Sequence, residues 1–91
     1  MEALLDNLYS ENYTLNKPLV VKLKKYYGEY VAQLQDINVG ATGSDIEDAL
    51  MNLSEIILNK FKTLNKLTDR KMGSDIKAQK VFLNSVIIKK D

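Results

Sequence analysis

Asp45, Glu47 and Asp48 are the most closely spaced carboxylates in the chain. Oxygen donors gathered this tightly could bind a magnesium ion. Their setting favours a plainer role. They follow Gly43-Ser44 and open a helical run, so they fall in a first turn, where unpaired amides and the helix dipole stabilise negative charge. A metal site would also need strand acids pointing the same way, and Glu29 and Asp36 fall at strand ends instead. Capping is therefore preferred to metal binding.

Other catalytic sets are missing. The chain has no histidine and no cysteine, which removes cysteine-histidine and serine-histidine nucleophiles and most zinc chemistry. Disulfides are excluded with them, and the composition fits a reducing compartment. Gly40 and Gly43 match neither the dinucleotide fingerprint nor the lysine-bearing phosphate loop. The expectation is a protein that is not an enzyme and uses no metal or cofactor.

Binding chemistry is better represented. Tyr9, Tyr13, Tyr26, Tyr27 and Tyr30, with no tryptophan, supply amphipathic, low-entropy surface of the kind enriched at interfaces. Padding of the surface near a hairpin, with Tyr30 in the core, is the competing account. Lys22, Lys24 and Lys25 could meet phosphate, and equally could keep an exposed strand from aggregating. Charge is unevenly spread: residues 1–59 hold four lysines and nine acids, a balance of −5, and residues 60–91 hold nine basic residues and three acids, a balance of +6. Such halves can attract one another or simply be solvated faces.

The elements that must position these residues follow from hydrophobic period. Residues 1–16 are weakly patterned, with Leu4, Leu5 and Leu8 at helical spacing, and are expected to form a short helix or loose arm. Pro18 suits the first position of a strand. Leu19, Val21 and Leu23 then alternate with Val20, Lys22 and Lys24, the period of a half-buried strand. Tyr26-Tyr27-Gly28-Glu29 predicts a hairpin with Gly28 at positive φ. The returning strand turns Tyr30, Ala32 and Leu34 inward and Val31, Gln33 and Gln35 outward. A turn at Asp36 leads to a short third strand, Ile37 to Ala41, with Gly40 where another backbone passes close.

After Gly43 the period becomes helical. Ile46, Ala49, Leu50, Leu53, Ile56, Ile57, Phe61 and Leu64 form one apolar stripe. Its start is capped by Ser44 with Glu47 or by Asp45 with Asp48. Lys60, Lys62 and Lys66 suit its C-terminal end. A polar connection from Thr68 to Gly73 precedes a second helical pattern capped by Ser74 or Asp75, with Ile76, Val81, Phe82 and Val86 on one side. Helical repeats at Ala78, Val81, Phe82 and Ser85 favour a helix there, and the β-branched run Val86-Ile87-Ile88 leaves a terminal strand as the alternative. The fold class is thus α+β: a three-stranded antiparallel meander packed on one long amphipathic helix, with a second C-terminal helix. Residues 17–91 would form the single domain.

The size agrees. At 91 residues, 45% apolar and 27% charged, the chain can form one core but leaves much surface exposed. Self-association would bury more, so a homo-oligomer is expected. Met1 to Leu8 lacks the basic start of a secretory signal, and no apolar run approaches the ~20 residues that span a bilayer. A cytoplasmic protein without membrane contact is the resulting expectation.

Lys17 to Leu67 resembles the HicB-like antitoxin family. The residues carrying the likeness are Leu19-Val20-Val21-Lys22-Leu23, Gly28-Glu29-Tyr30-Val31-Ala32-Gln33-Leu34 with Asp36-Ile37, and Gly43-Ser44-Asp45-Ile46-Glu47-Asp48-Ala49-Leu50-Met51-Asn52-Leu53. The last stretch is similar to the family's glycine, helix cap, acidic pair and Ala-Leu-x-x-Leu opening. The resemblance implies a truncated RNase H-like unit, without the acidic set that nuclease activity needs. It departs from the family at Asp45, where serine or threonine is usual, and in the proline-free loop Gln35-Asp36-Ile37-Asn38. Residues 68–91 are also too few for the helix-turn-helix or ribbon-helix-helix of full-length antitoxins, so the shorter members are the closer likeness.

A non-enzymatic protein-binding module follows, and the resemblance implies an antitoxin-like protein that masks a small basic RNase toxin. Tyr26, Tyr27, Glu29, Gln33 and Gln35, on the outer side of the hairpin away from the helix, are the candidate partner-binding residues. The alternative is a nucleic-acid-associated protein that uses the basic segment from Lys60 to Lys90.

Overall fold

Leu19, Val21 and Leu23 are buried while Val20, Lys22 and Lys24 face solvent, so the period-two run does form a strand with one wet face. The computed structural model describes residues 1–68, 70 and 72–90. Along them run β1 (Glu2–Leu5), β2 (Tyr13–Leu15), β3 (Leu19–Tyr26), β4 (Glu29–Leu34), β5 (Val39–Gly43), α1 (Ile46–Lys66), α2 (Ser74–Val86) and β6 (Ile87–Lys89). The architecture is α+β: a four-stranded antiparallel sheet in the order β1-β3-β4-β5 packs one face on α1, and α2 lies beside α1. β2 and β6 form a separate two-stranded antiparallel sheet.

The meander β3-β4-β5 is therefore present, but the sheet has four strands rather than three. The extra strand comes from residues 1–16, which are neither a loose arm nor a helix. β1 pairs along β3 with Leu5 opposite Leu19 and Glu2 opposite Lys22. Leu5 and Leu8 are buried and Leu4 is 61% exposed, so the helical spacing of the three leucines is not used. The physical reason lies on β3, whose backbone groups on that side would otherwise lack partners in the sheet.

The third strand starts later than expected. Gln35–Ile37 form a single 3-10 turn, Asn38 takes a left-handed φ of 54°, and only then does β5 begin. Ile37 is wholly buried at this corner and its carbonyl accepts a hydrogen bond from Lys60 Nζ at 3.2 Å. Asparagine tolerates the left-handed region better than most residues, which fits Asn38 to that bend.

α1 is capped by Asp45, whose Oδ1 accepts from the Asp48 amide at 2.7 Å, while Ser44 Oγ donates to Asp48 Oδ2 at 2.6 Å. Of the two capping arrangements the sequence permits, this is the aspartate one. Ala49, Leu53, Ile57 and Leu64 face the core, whereas Ile56, assigned to the same stripe, is more than a third exposed.

At the C-terminal end both alternatives are realised in succession: a helix to Val86, then a strand from Ile87. The inward face of α2 keeps Ile76, Phe82 and Val86 of the expected side, but it includes Leu83 and excludes Val81. Leu83 and Val86 are fully buried, while Ala78, Ser85 and Val81, 69% exposed, face solvent. Before α2, Met72 is buried within the connection expected to be polar; Asp69 and Lys71 of that connection lie outside the described residues. The small sheet joins distant parts of the chain. Asn16 donates its amide to Val86 O at 2.9 Å and Nδ2 to Ser85 O at 2.6 Å, and the Lys90 amide donates to Asn12 O at 2.8 Å. Leu15, Val86 and Ile87 enter the same core as the main sheet.

Candidate functional site

The two-residue turn Tyr27-Gly28 closes the β3–β4 hairpin between the paired residues Tyr26 and Glu29. Both turn residues have positive φ, 46° for Tyr27 and 83° for Gly28. This is the turn geometry that follows the natural twist of an antiparallel ribbon, and it favours Asn-Gly. Tyrosine holds the first position at a steric cost, because its Cβ crowds the backbone in the left-handed region. Its ring receives no compensating cover, since Tyr27 is fully exposed and Tyr26 beside it is half exposed.

The ribbon outruns the core at this end. By alternation Lys25 should face inward, yet Lys24, Lys25 and Tyr26 are all exposed. Lys25 places its ammonium 5.5 Å from the centroid of the Tyr30 ring, a cation–π contact that props one side of the ribbon. Among the expected tyrosines, Tyr30 is half-buried against the core and Tyr13 packs edge-on against Phe61 at 5.5 Å. These two are structural. Tyr26 and Tyr27 are the aromatic residues of the tip.

Sheet register brings the acidic first turn of α1 to the same end of the molecule. Gly43 pairs with Tyr30, one residue pair below the closing pair Tyr26–Glu29. Asp45, Glu47 and Asp48 follow directly and are exposed. The end of the molecule thus offers two tyrosines and a group of carboxylates, with Lys24 and Lys25 on one flank. Among the described residues, no group of three or more acidic, histidine or cysteine side chains is placed to hold a metal ion.

The five nominated residues do not form one patch. Tyr26, Tyr27 and Glu29 share the tip. Gln33 lies four residues further along β4, about 13 Å away at the usual strand rise, and Gln35 sits in the 3-10 turn. Gln33 and Gln35 instead line a shallow hollow of about 220 Å³ with Glu2, Val20, Lys22 and Asp36. Val20 and Lys22 were legible as outward residues, but Glu2 belongs to the strand that sequence pattern missed.

The basic segment from Lys60 to Lys90 is partly engaged in holding the fold. Lys60 bonds Ile37 O, Lys62 sits 5.6 Å from the Tyr13 ring, and Lys90 Nζ donates to Ser10 O at 2.9 Å. Among the described residues, no helix is long and apolar enough to cross a membrane. No protein-family model, curated protein or solved structure matches the chain.

Proposed function

We propose that this protein is a non-catalytic protein-binding module whose contact surface is the tip of the β3–β4 hairpin with the neighbouring acidic turn of α1. One observation carries the reading: Tyr27 is fully exposed while its backbone holds a left-handed φ that asparagine or glycine would adopt at lower cost. A residue kept against local preference and given no intramolecular cover is accounted for by contact with something else. Tyrosine is also among the residues that most often dominate interface energetics.

The carboxylates beside it suit a cationic partner. This agrees with the antitoxin-like role that the HicB-like resemblance implies, the masking of a small basic RNase toxin. Co-purification from the native host tests it. Wild type should retain a small basic protein, and Tyr27→Asn should hold it at least about tenfold more weakly, as loss of an aromatic anchor does. The same substitution should raise folding stability by about 1 kcal/mol, because asparagine tolerates the turn. Opposite signs in the two measurements separate a binding role from a folding role. Recovery of the chain with no small basic protein, and none encoded beside its gene, would remove the antitoxin reading.

Nucleic-acid association through the basic segment is the weaker reading, given the internal contacts of Lys60, Lys62 and Lys90. Gel retardation of RNA or DNA at low salt checks it.

A further inference from the structure

We infer that two copies of this chain join along β1, edge to edge, to make one continuous eight-stranded antiparallel sheet. The ladder itself identifies the free edge. The Leu23 amide donates to Met1 O at 2.8 Å, which makes Met1 and Leu23 a hydrogen-bonded pair. In an antiparallel ladder such pairs alternate, so with Ala3 opposite Val21 and Leu5 opposite Leu19, the backbone groups of Met1, Ala3 and Leu5 point at β3. Those of Glu2 and Leu4 point away from the sheet, and among the described residues they meet no partner.

The opposite edge is differently equipped. The same alternation, carried across β4 from the Tyr26–Glu29 closing pair, turns Gly40 and Thr42 of β5 outward. There the Thr42 carbonyl is already held by Asn52 Nδ2 at 2.8 Å, a side chain of α1. The β5 edge thus has one of its outward carbonyls held from the helix, and the β1 edge, among the described residues, has none.

A second copy fits the open edge in one register. Placing Glu2 of one copy opposite Leu4 of the other, and Ala3 opposite Ala3, forms hydrogen-bonded pairs from just the two residues whose groups are free. The same register keeps both faces continuous. On the inner face, Met1, 72% exposed in the single chain, enters a row between its own Leu23 and Leu5 of the second copy. On the outer face, the exposed neighbours Leu4 and Val20 continue into Glu2 and Lys22 of the second copy, so each apolar pair abuts an oppositely charged one. The arrangement is isologous and closes as a dimer, whereas pairing β1 on β5 of another copy would propagate without end. An extended peptide from another protein could bond the same edge, but it would not explain this self-matching of residues 1–5.

Because the chain has no cysteine, single cysteines report the register directly. Two Ala3→Cys chains would stand opposite one another at a non-hydrogen-bonded position, with Cα atoms about 4.5 Å apart, within reach of a disulfide. Mild oxidation of Ala3→Cys should give a covalent dimer, and mixing Glu2→Cys with Leu4→Cys should give the mixed dimer in preference to either homodimer. Leu4→Glu, which sets two like charges face to face across the edge, should weaken dimerisation at least about tenfold in sedimentation equilibrium while leaving the monomer's circular dichroism unchanged. A wild-type chain that stays monomeric up to about 1 mM, or a dimer in which Ala3→Cys does not cross-link, overturns the inference.

Discussion

Gly43→Ala is expected to destabilise the fold by about 3 kcal/mol or more and to lower the thermal midpoint by roughly 12–24 °C. A Cβ at this position would lie 2.3 Å from the amide nitrogen of Ala49, and 2.7 Å from both the carbonyl carbon and the Cβ of Asp48. Those atoms belong to the first turn of α1 and cannot swing aside as the end of a long side chain would. The turn is held by the Asp45 cap, and Ala49 is buried against the sheet. Relief would therefore require α1 to lift from β5, the strand it packs against most extensively. Gly40→Ala is the matching comparison, since its Cβ would meet only the Ala32 carbonyl at 3.3 Å and the flexible Gln33 side chain at 3.7 Å. Thermal unfolding of both variants should show a much smaller loss for Gly40→Ala. Equal midpoints would mean that the helix start is looser than this close approach implies.

Leu83→Ala should remove about 2–5 kcal/mol, and Val81→Ala should change stability by no more than about 0.5. The two residues are two positions apart on α2, but Leu83 is fully buried in the core cluster and Val81 is 69% exposed. A domain of this size has a total stability of only about 5–14 kcal/mol, so the first substitution would remove a large share of it. Urea denaturation with fluorescence of the tyrosines would measure both. A larger loss for Val81→Ala would mean that α2 is rotated relative to the face described.

This pair of residues also shows why part of the fold resists reading from sequence. On α2, Ala78, Val81 and Ser85 repeat at helical spacing as well as Ile76, Leu83 and Val86 do, so periodicity places Ile76, Phe82 and Val86 on the buried side but does not decide between Val81 and Leu83. The choice depends on what the helix meets, namely α1, the 3-10 turn at Gln35–Ile37 and β6. β3, β4 and α1 were legible because each is long enough to display its period, and the hairpin because Gly28 marks it. β1, β2 and β6 have only four, three and three residues. Strands so short show no reliable alternation, and their partners lie far off in the chain.

The candidate site divides along the same line. Tyr26, Tyr27 and Glu29 are neighbours through a local turn, so their grouping could be read directly. Their association with Asp45, Glu47 and Asp48 depends on the register that sets Gly43 beside Tyr30, which only the assembled sheet fixes. Gln33 and Gln35 share the outward direction of the tip residues but lie too far along the strand to act with them.

Since β6 is the strand that pairs with β2 among the described residues, a chain emerging from the ribosome must be made as far as Ile87 before Leu15 meets its partner across the small sheet. Closing that link spans about 70 residues, a slow and entropically demanding step compared with forming the hairpin. The segment from β3 through α1 can assemble while synthesis continues, leaving the stretch around β2 exposed to proteases and chaperones until β6 has been made.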